Sequence, residues 1–273
     1  MSSDPENAVD PFLKWAGGKR WFIRRHEHLF PKVFNRYIEP FLGGAAVFFS
    51  LRPAKPILSD TNASLIGTYQ AIRDNWALVW RYLLSHQALH SKEYYYVCRA
   101  KKYRSTSAKA AQFIYLNRAC WNGLYRVNLR GDFNVPIGTK DTIVFDNDNF
   151  ETLSDALRSA KLLCCDFERT IDLAKRGDFV FVDPPYTINH NANGFLKYNE
   201  KIFSWHDQKR LRSALERARD RGAKILVTNA DHRSVRELYA GFGNMVTVPR
   251  FSVLSGDASF RKLSTELIVS AGC

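Results

Sequence analysis

The chain has 273 residues, 45% of them hydrophobic and 25% charged, an ordinary globular composition able to bury a core. No apolar run approaches the ~20 residues of a membrane span, which excludes a helical membrane protein. Lys and Arg outnumber Asp and Glu by 40 to 27, a formal +13, which points to a polyanionic partner, nucleic acid first.

The N-terminal "MSSDPENAVD" is polar and acidic, unlike a signal or transit peptide. Cys98, Cys120, Cys164, Cys165 and Cys273 form no C-x-x-C pair, the pattern of reduced packing thiols rather than a disulfide framework or zinc site. The His residues show no metal-ligand spacing, and no metal is expected.

In chain order, "RYIEPF" (36–41) reads as a short strand, followed by a Gly-Gly turn and a helix opening with "AAVFFSL". "KPILSD" (55–60) is the next strand. "LIGTYQAIRDNWALVWRYLLSH" and "SAKAAQFIYLNRA" carry apolar residues at helical spacing. Between them "KEYYYVCRAKKYR" interleaves tyrosines with cations, suited to packing a helix or to lying along a sugar-phosphate backbone. A loop-rich stretch, "CWNGLYRVNLRGDFNVPIGTKDT", follows. The rhythm then resumes: "AKLLCCDF" as strand, "RTIDLAKR" as short helix, "DFVFVD" as strand. "SWHDQKRLRSALERARDRG" is a helix with Ser204 as N-cap, Asp207 in capping-box position and Gly222 as its stop. "AKILVTNA" is a strand, and "NMVTVPRFSVLSGDASFRKLSTELIVS" reads as two strands joined by a polar, basic loop. Alternation of this kind predicts an α/β fold with a parallel, helix-covered sheet. The region 65–150 interrupts it as a mainly helical insertion.

Three stretches carry chemistry. In "YIEPFLGGAAVFF" a strand ends at Glu39, and Gly43-Gly44 lead into a helix, letting the backbone approach a ligand. This is not the G-x-G-x-x-G dinucleotide pattern. Asp60 ends the next strand, placed either to take ribose hydroxyls or to cap the helix after it. In "PFLKWAGGKR" Lys19 follows a glycine pair, either beside an anionic ligand group or on a basic surface turn. In "GDFVFVDPPYTI" a buried strand ends in Asp183-Pro184-Pro185-Tyr186. The Asp183 carboxylate and the Pro184 carbonyl can each accept one hydrogen of an exocyclic amine. The prolines stiffen the turn, and Tyr186 offers a stacking face. For an amine on a base inside a duplex, the base must leave the stack.

These motifs in this order, "FLKWAGGK", "EPFLGGAAVFF", "LSDTN", an insertion and "DPPY", resemble the Dam-type, alpha-group DNA adenine-N6 methyltransferases over nearly the whole chain after Asp10. The resemblance implies a Rossmann-like S-adenosylmethionine-dependent methyltransferase sheet, formed by 11–64 and 151–273, with a mainly helical DNA target-recognition domain at 65–150. It implies that Trp15, Lys19, Asp60 and Asp183 contact S-adenosylmethionine, with Glu39, Phe41 and Gly43 on the cofactor side and Asp166-Phe167 lining its adenine pocket. Asp183, Pro184, Pro185 and Tyr186 would hold the flipped adenine.

"LNRACWNGLYRVNLRGDFNVPIG" (116–138) is similar to the family's target-recognition hairpin. By that similarity Trp121 matches the wedge and Arg126 the guanine reader, whose fork reaches O6 and N7 together. Leu124 and Pro136 match apolar base contacts, and Lys14 a lysine reading the outer guanine. Asn122, Asn128 and Arg130 are further DNA-binding candidates. "TKDTIVFD" after the hairpin departs from the family's basic-aromatic pattern, and "ACW" from its more usual tyrosine, so GATC is the favoured site within a range of related ones. "NANGFLKY" (191–198) matches a segment that orders around DNA. The expected partner is double-stranded DNA and the expected location cytoplasmic, in a bacterium or phage. The oligomeric state stays open, a monomer being the simplest. Transfer to cytosine N4, usually with Ser in place of Asp183, and a DNA-binding module without activity are the competing readings.

Overall fold

The computed structural model describes residues 9–128, 130–188, 203–251 and 263–273. Its elements in chain order are α1 (Arg20–His26), β1 (Tyr37–Glu39), α2 (Ala46–Leu51), β2 (Pro56–Asp60), α3 (Ala63–Ala88), α4 (Lys92–Ala100), α5 (Thr106–Ala119) and α6 (Phe150–Leu157). There follow β3 (Lys161–Cys164), α7 (Phe167–Ile171), β4 (Phe179–Val182), α8 (Trp205–Asp220), β5 (Lys224–Ala230), α9 (Arg233–Leu238), β6 (Asn244–Phe251) and β7 (Leu263–Ala271). The chain is mixed α/β, as its alternating pattern predicts. It divides into two compact units, Met1–Glu27 with Leu42–Cys164, and His28–Phe41 with Cys165–Cys273.

In the first unit β2 and β3 run parallel, with Ile57 opposite Lys161 and Asp60 opposite Cys164. Ile57, Leu58 and Ser59 are buried, and the chain reaches a half-buried carboxylate only at Asp60. Asn62, not Asp60, caps α3: its side chain accepts from Leu65 N. α3 is broken where the sequence predicts continuity. Asn75 leaves helical geometry (φ −159°) and its Oδ1 accepts from Leu78 N, so it caps the second half of the helix from within. α3 packs against α5 and α6. On α5 Arg118 lies buried, with four hydrogen bonds from its guanidinium. It forms a two-pronged pair with Asp148 (2.5 and 2.6 Å), donates to the carbonyls of Phe12 and Ile143, and lies over the Phe145 ring at 4.5 Å.

In the second unit the strand order is β1-β4-β5-β7-β6. β1, β4 and β5 are parallel, and all four residues of β4 are buried. The expectation of a parallel sheet needs correction here: β7 lies between β5 and β6 and is antiparallel to both. Antiparallel neighbours need no helical crossover between them. The strand and helix at 160–176 also shift. β3 stops at Cys164 and α7 begins at Phe167, because Asp166 accepts from Glu168 N and caps a helix earlier than apolar patterning suggests. α8 opens with the predicted capping box, Ser204 and Asp207 each bonding the other's backbone N–H, and Gly222 (φ +86°) follows its end. None of the described helices is long and apolar enough to cross a membrane.

Candidate active site

The first unit gathers Trp15, Gly43 and Asp60. The turn after β1 brings the Gly43 N–H to Asp60 Oδ2 at 3.1 Å, while Asp60 Oδ1 accepts from Asn62 N at 2.9 Å. Burial raises the Asp60 pKa, and the backbone N–H groups of Asn62, Gly43 and Thr61 oppose that rise. A carboxylate has about four lone-pair directions, so this half-buried group keeps capacity for hydroxyl donors such as a ribose diol.

Gly43 is glycine for two reasons. Its φ is +47°, and a Cβ there would lie 2.8 Å from the Trp15 indole. The turn is therefore a cradle whose floor is backbone and whose wall is Trp15. On its other side Trp15 stacks on Tyr125 (centroids 5.7 Å apart, 23° between planes). Lys19 is buried, and its amine donates to Gly17 O at 3.0 Å. Gly43→Ala is expected to lower stability by about 1–2 kcal/mol through the left-handed backbone alone, and to weaken cofactor binding by displacing Trp15. Thermal melting and titration calorimetry would check both.

The same unit carries the hairpin. Bridges pair Cys120 with Ile137 and Val127 with Phe133. Trp121, the expected wedge, is 52% exposed. Arg126 is exposed, and its guanidinium is oriented by Asn134, with Nε on Oδ1 at 2.9 Å and Nη2 on the carbonyl at 3.3 Å. Leu124 is half-buried, while Asn122, Arg130 and Pro136 are exposed. Asn128 plays a different, local part. Its Oδ1 accepts from the N–H groups of Arg130 and Asp132 and shapes the hairpin turn.

Lys14 is tied to the hairpin's root. Its backbone exchanges two hydrogen bonds with the Asn117 side chain, and its Nζ donates to Arg118 O at 2.9 Å. Burial, then the charge of Lys140, lowers its pKa to about 8.

The second unit places Asp183 at the C-terminal end of β4. The Thr228 hydroxyl of β5 donates to Asp183 Oδ1 at 2.6 Å. Pro184 is buried and Pro185 half-buried. Tyr186 is half-buried with its hydroxyl enclosed, so the accessible part of this residue lies on its ring side. Burial raises the Tyr186 pKa well above the ordinary tyrosine value, and the charges of Asp183 and Glu266 add to the rise. Glu39 is buried and accepts from the Tyr37 hydroxyl at 2.9 Å. Phe41 stacks on Phe167 (5.3 Å, 23°) and meets Phe203 edge-on at 5.5 Å. Asp166, besides capping α7, pairs with Arg210 at 2.9 Å. The segment 191–198, matched to one that orders around DNA, lies outside the described residues.

Sequence reasoning missed Thr228 and Tyr125. Thr228 sits in a strand where a threonine is unremarkable, and no local pattern points from it to Asp183. Tyr125 stood between two candidate residues in the hairpin, yet its partner Trp15 is remote in sequence.

Comparison with known proteins identifies the family. Residues 15–253 match the model of the D12 class N6 adenine-specific DNA methyltransferases. The Type II methyltransferase M1.LlaDCHI of Lactococcus lactis subsp. cremoris is 36% identical over 95% of this chain and 94% of its own. The Type II methyltransferase M.MjaIII of Methanocaldococcus jannaschii is 36% identical over 91% of this chain and 94% of its own. A DNA adenine methylase of Haemophilus influenzae is 33% identical over 88% and 86%. With a family match that takes in the glycine turn, Asp60, the hairpin and Asp183 alike, the chain belongs to the D12 class of N6 adenine-specific DNA methyltransferases.

Proposed function

We propose that this methyltransferase uses S-adenosylmethionine and acts on an adenine flipped out of double-stranded DNA, with GATC or a related sequence as its site. The observation that carries the reading is Asp183, a carboxylate fixed by Thr228 at the end of a fully buried strand and followed by a stiff turn ending in Tyr186. Trp15, Lys19, Gly43 and Asp60 are the cofactor-side residues of the first unit, and Glu39, Phe41, Asp166 and Phe167 those of the second. The glycine cradle beside Trp15 and the accepting capacity of Asp60 fit a ribose-bearing ligand. When bound, S-adenosylmethionine supplies a methyl group already activated by its sulfonium.

The chain's own residues supply orientation. Asp183 and the Pro184 carbonyl accept the two N6 hydrogens, which turns the nitrogen lone pair outward and away from the ring's π system. Tyr186 stacks on the base and fixes its plane. After transfer N6 is cationic and acidic, so its proton leaves without a strong base. Orientation of this kind is worth ~7–11 kcal/mol in well-aligned systems. Pro185 holds the turn.

Residues 65–150 serve target recognition, and 11–64 with 151–273 serve catalysis. Trp121 wedges into the duplex and Arg126 reads a guanine, with Lys14, Leu124 and Pro136 on base edges and Asn122, Asn128 and Arg130 along the strand. The net charge of +13 supports a DNA-associated enzyme.

Incubation of the protein with methyl-labelled cofactor and a mixed-sequence duplex, followed by nucleoside analysis and site mapping, tests this reading. N6-methyladenine at one short sequence is expected, and label confined to another base would overturn it. In the same assay Arg126→Ala is expected to lose about 1–3 kcal/mol of discrimination at one base pair with cofactor affinity intact. An unchanged site preference would remove Arg126 from the reading surface.

A further inference from the structure

We propose that Thr228 is a positioning residue for methyl transfer, a β5 hydroxyl that sets the orientation of Asp183. The proposal rests on the role given above to Asp183.

Thr228 is fully buried. β4 and β5 are in register at Val182 and Val227, which places Thr228 one residue beyond that pair and level with the acid. A buried hydroxyl needs a partner. Its single hydrogen has two acceptors in range, Asp183 Oδ1 at 2.6 Å and Val182 O at 3.5 Å. The short distance is that of a well-formed hydroxyl–carboxylate hydrogen bond, and the long one is marginal. Donation therefore goes to Asp183 and commits Oδ1. One side chain thus holds the acid that takes the amine.

The support behind Thr228 is rigid. The next residue, Asn229, donates from Nδ2 to Gln208 Oε1 at 3.1 Å, and Gln208 in turn donates to Thr187 O at 3.4 Å. Thr187 donates to Phe203 O at 2.6 Å. All three side chains are buried. The acceptor turn is held at its first residue through Thr228 and just past its last through Thr187. A carboxylate on a turn can rotate about its own bonds, and misplacement of a reacting group by ~1 Å costs on the order of a hundredfold in rate.

Thr228→Val keeps the volume and removes the donor, while Thr228→Ser keeps the donor. For the valine variant the single-turnover rate is expected to fall about ten- to a hundredfold, with the DNA KM and cofactor Kd within about twofold of the parent. The serine variant is expected to stay within about threefold in rate, since it retains the bond to Asp183. Parental turnover in the valine variant, or a serine variant as slow as the valine one, would overturn the proposal. Thr228→Ala carries the same expectation as valine, and failure of both to fold would assign Thr228 to fold maintenance and also overturn it. Asp183→Asn serves as the control: full activity there refutes the role of Asp183, whereas an inactive Asp183→Asn beside a fully active Thr228→Val refutes Thr228 alone.

Discussion

Asp183→Ala is expected to lower the single-turnover rate of methyl transfer by at least about a hundred- to a thousandfold, the loss typical of removing one preorganised polar group from a reacting centre. The loss should fall on the chemical step. Asp183 is half-buried at the end of β4, where its carboxylate accepts a 2.6 Å bond from Thr228. Truncation removes the proposed N6 acceptor and leaves the Thr228 hydroxyl without its principal partner, yet, at a half-buried position, it opens no large cavity in the core. Rapid-quench kinetics with labelled cofactor, together with a melting curve, separate the two effects. A variant that melts like the parent and still transfers methyl at near-parental rate would refute the assignment.

The largest loss of stability is expected at Arg118. Arg118→Ala should destabilise the protein by about 3–5 kcal/mol, the cost of breaking a buried ion pair from one side. The reason is how much of the guanidinium is used. Asp148, 6% exposed, takes both prongs, and the carbonyls of Phe12 and Ile143 take further donors. Without Arg118 a buried carboxylate has lost its cation and two carbonyls have lost their donor. Arg118→Lys should recover only part of this, because a single ammonium cannot bond both carboxylate oxygens in the plane that the guanidinium fork fills. Urea denaturation followed by circular dichroism measures the difference. A loss below about 1 kcal/mol would mean that the pair behaves like an exposed one.

Much of the arrangement was legible in the sequence where a local pattern determines the outcome. Strands that end in Glu39, Asp60 and Asp183 are announced by apolar runs breaking at an acid, and the α8 cap is announced by Ser204 and Asp207. What escaped was decided elsewhere. Asp166 could end a strand or cap a helix, and its bond to Glu168 N decided for the helix. Asn75 lies in a run with helical spacing, and only its bond to Leu78 N shows that it restarts the helix. β7 is placed between β5 and β6 by pairing partners distant in sequence. In the tyrosine-rich α4, Tyr95 is buried with its hydroxyl on Val135 O, whereas Tyr96 is 37% exposed. One helix face therefore serves packing and the other faces solvent. Asn128, chosen for its DNA-compatible chemistry, is already occupied in shaping its own turn.

If the hairpin reads DNA as proposed, its ties to Lys14 bear on how specificity could be re-engineered. Asn117 clasps the Lys14 backbone from both directions, and a side chain at Gly123 would run into Lys14 within 2.5 Å. A loop transplanted from a relative would therefore have to bring its own counterpart of the "FLKW" segment, since the two have been cut to one another's shape. Grafts bounded only by the contiguous hairpin would inherit a mismatched foundation, and the portable module is discontinuous in the gene.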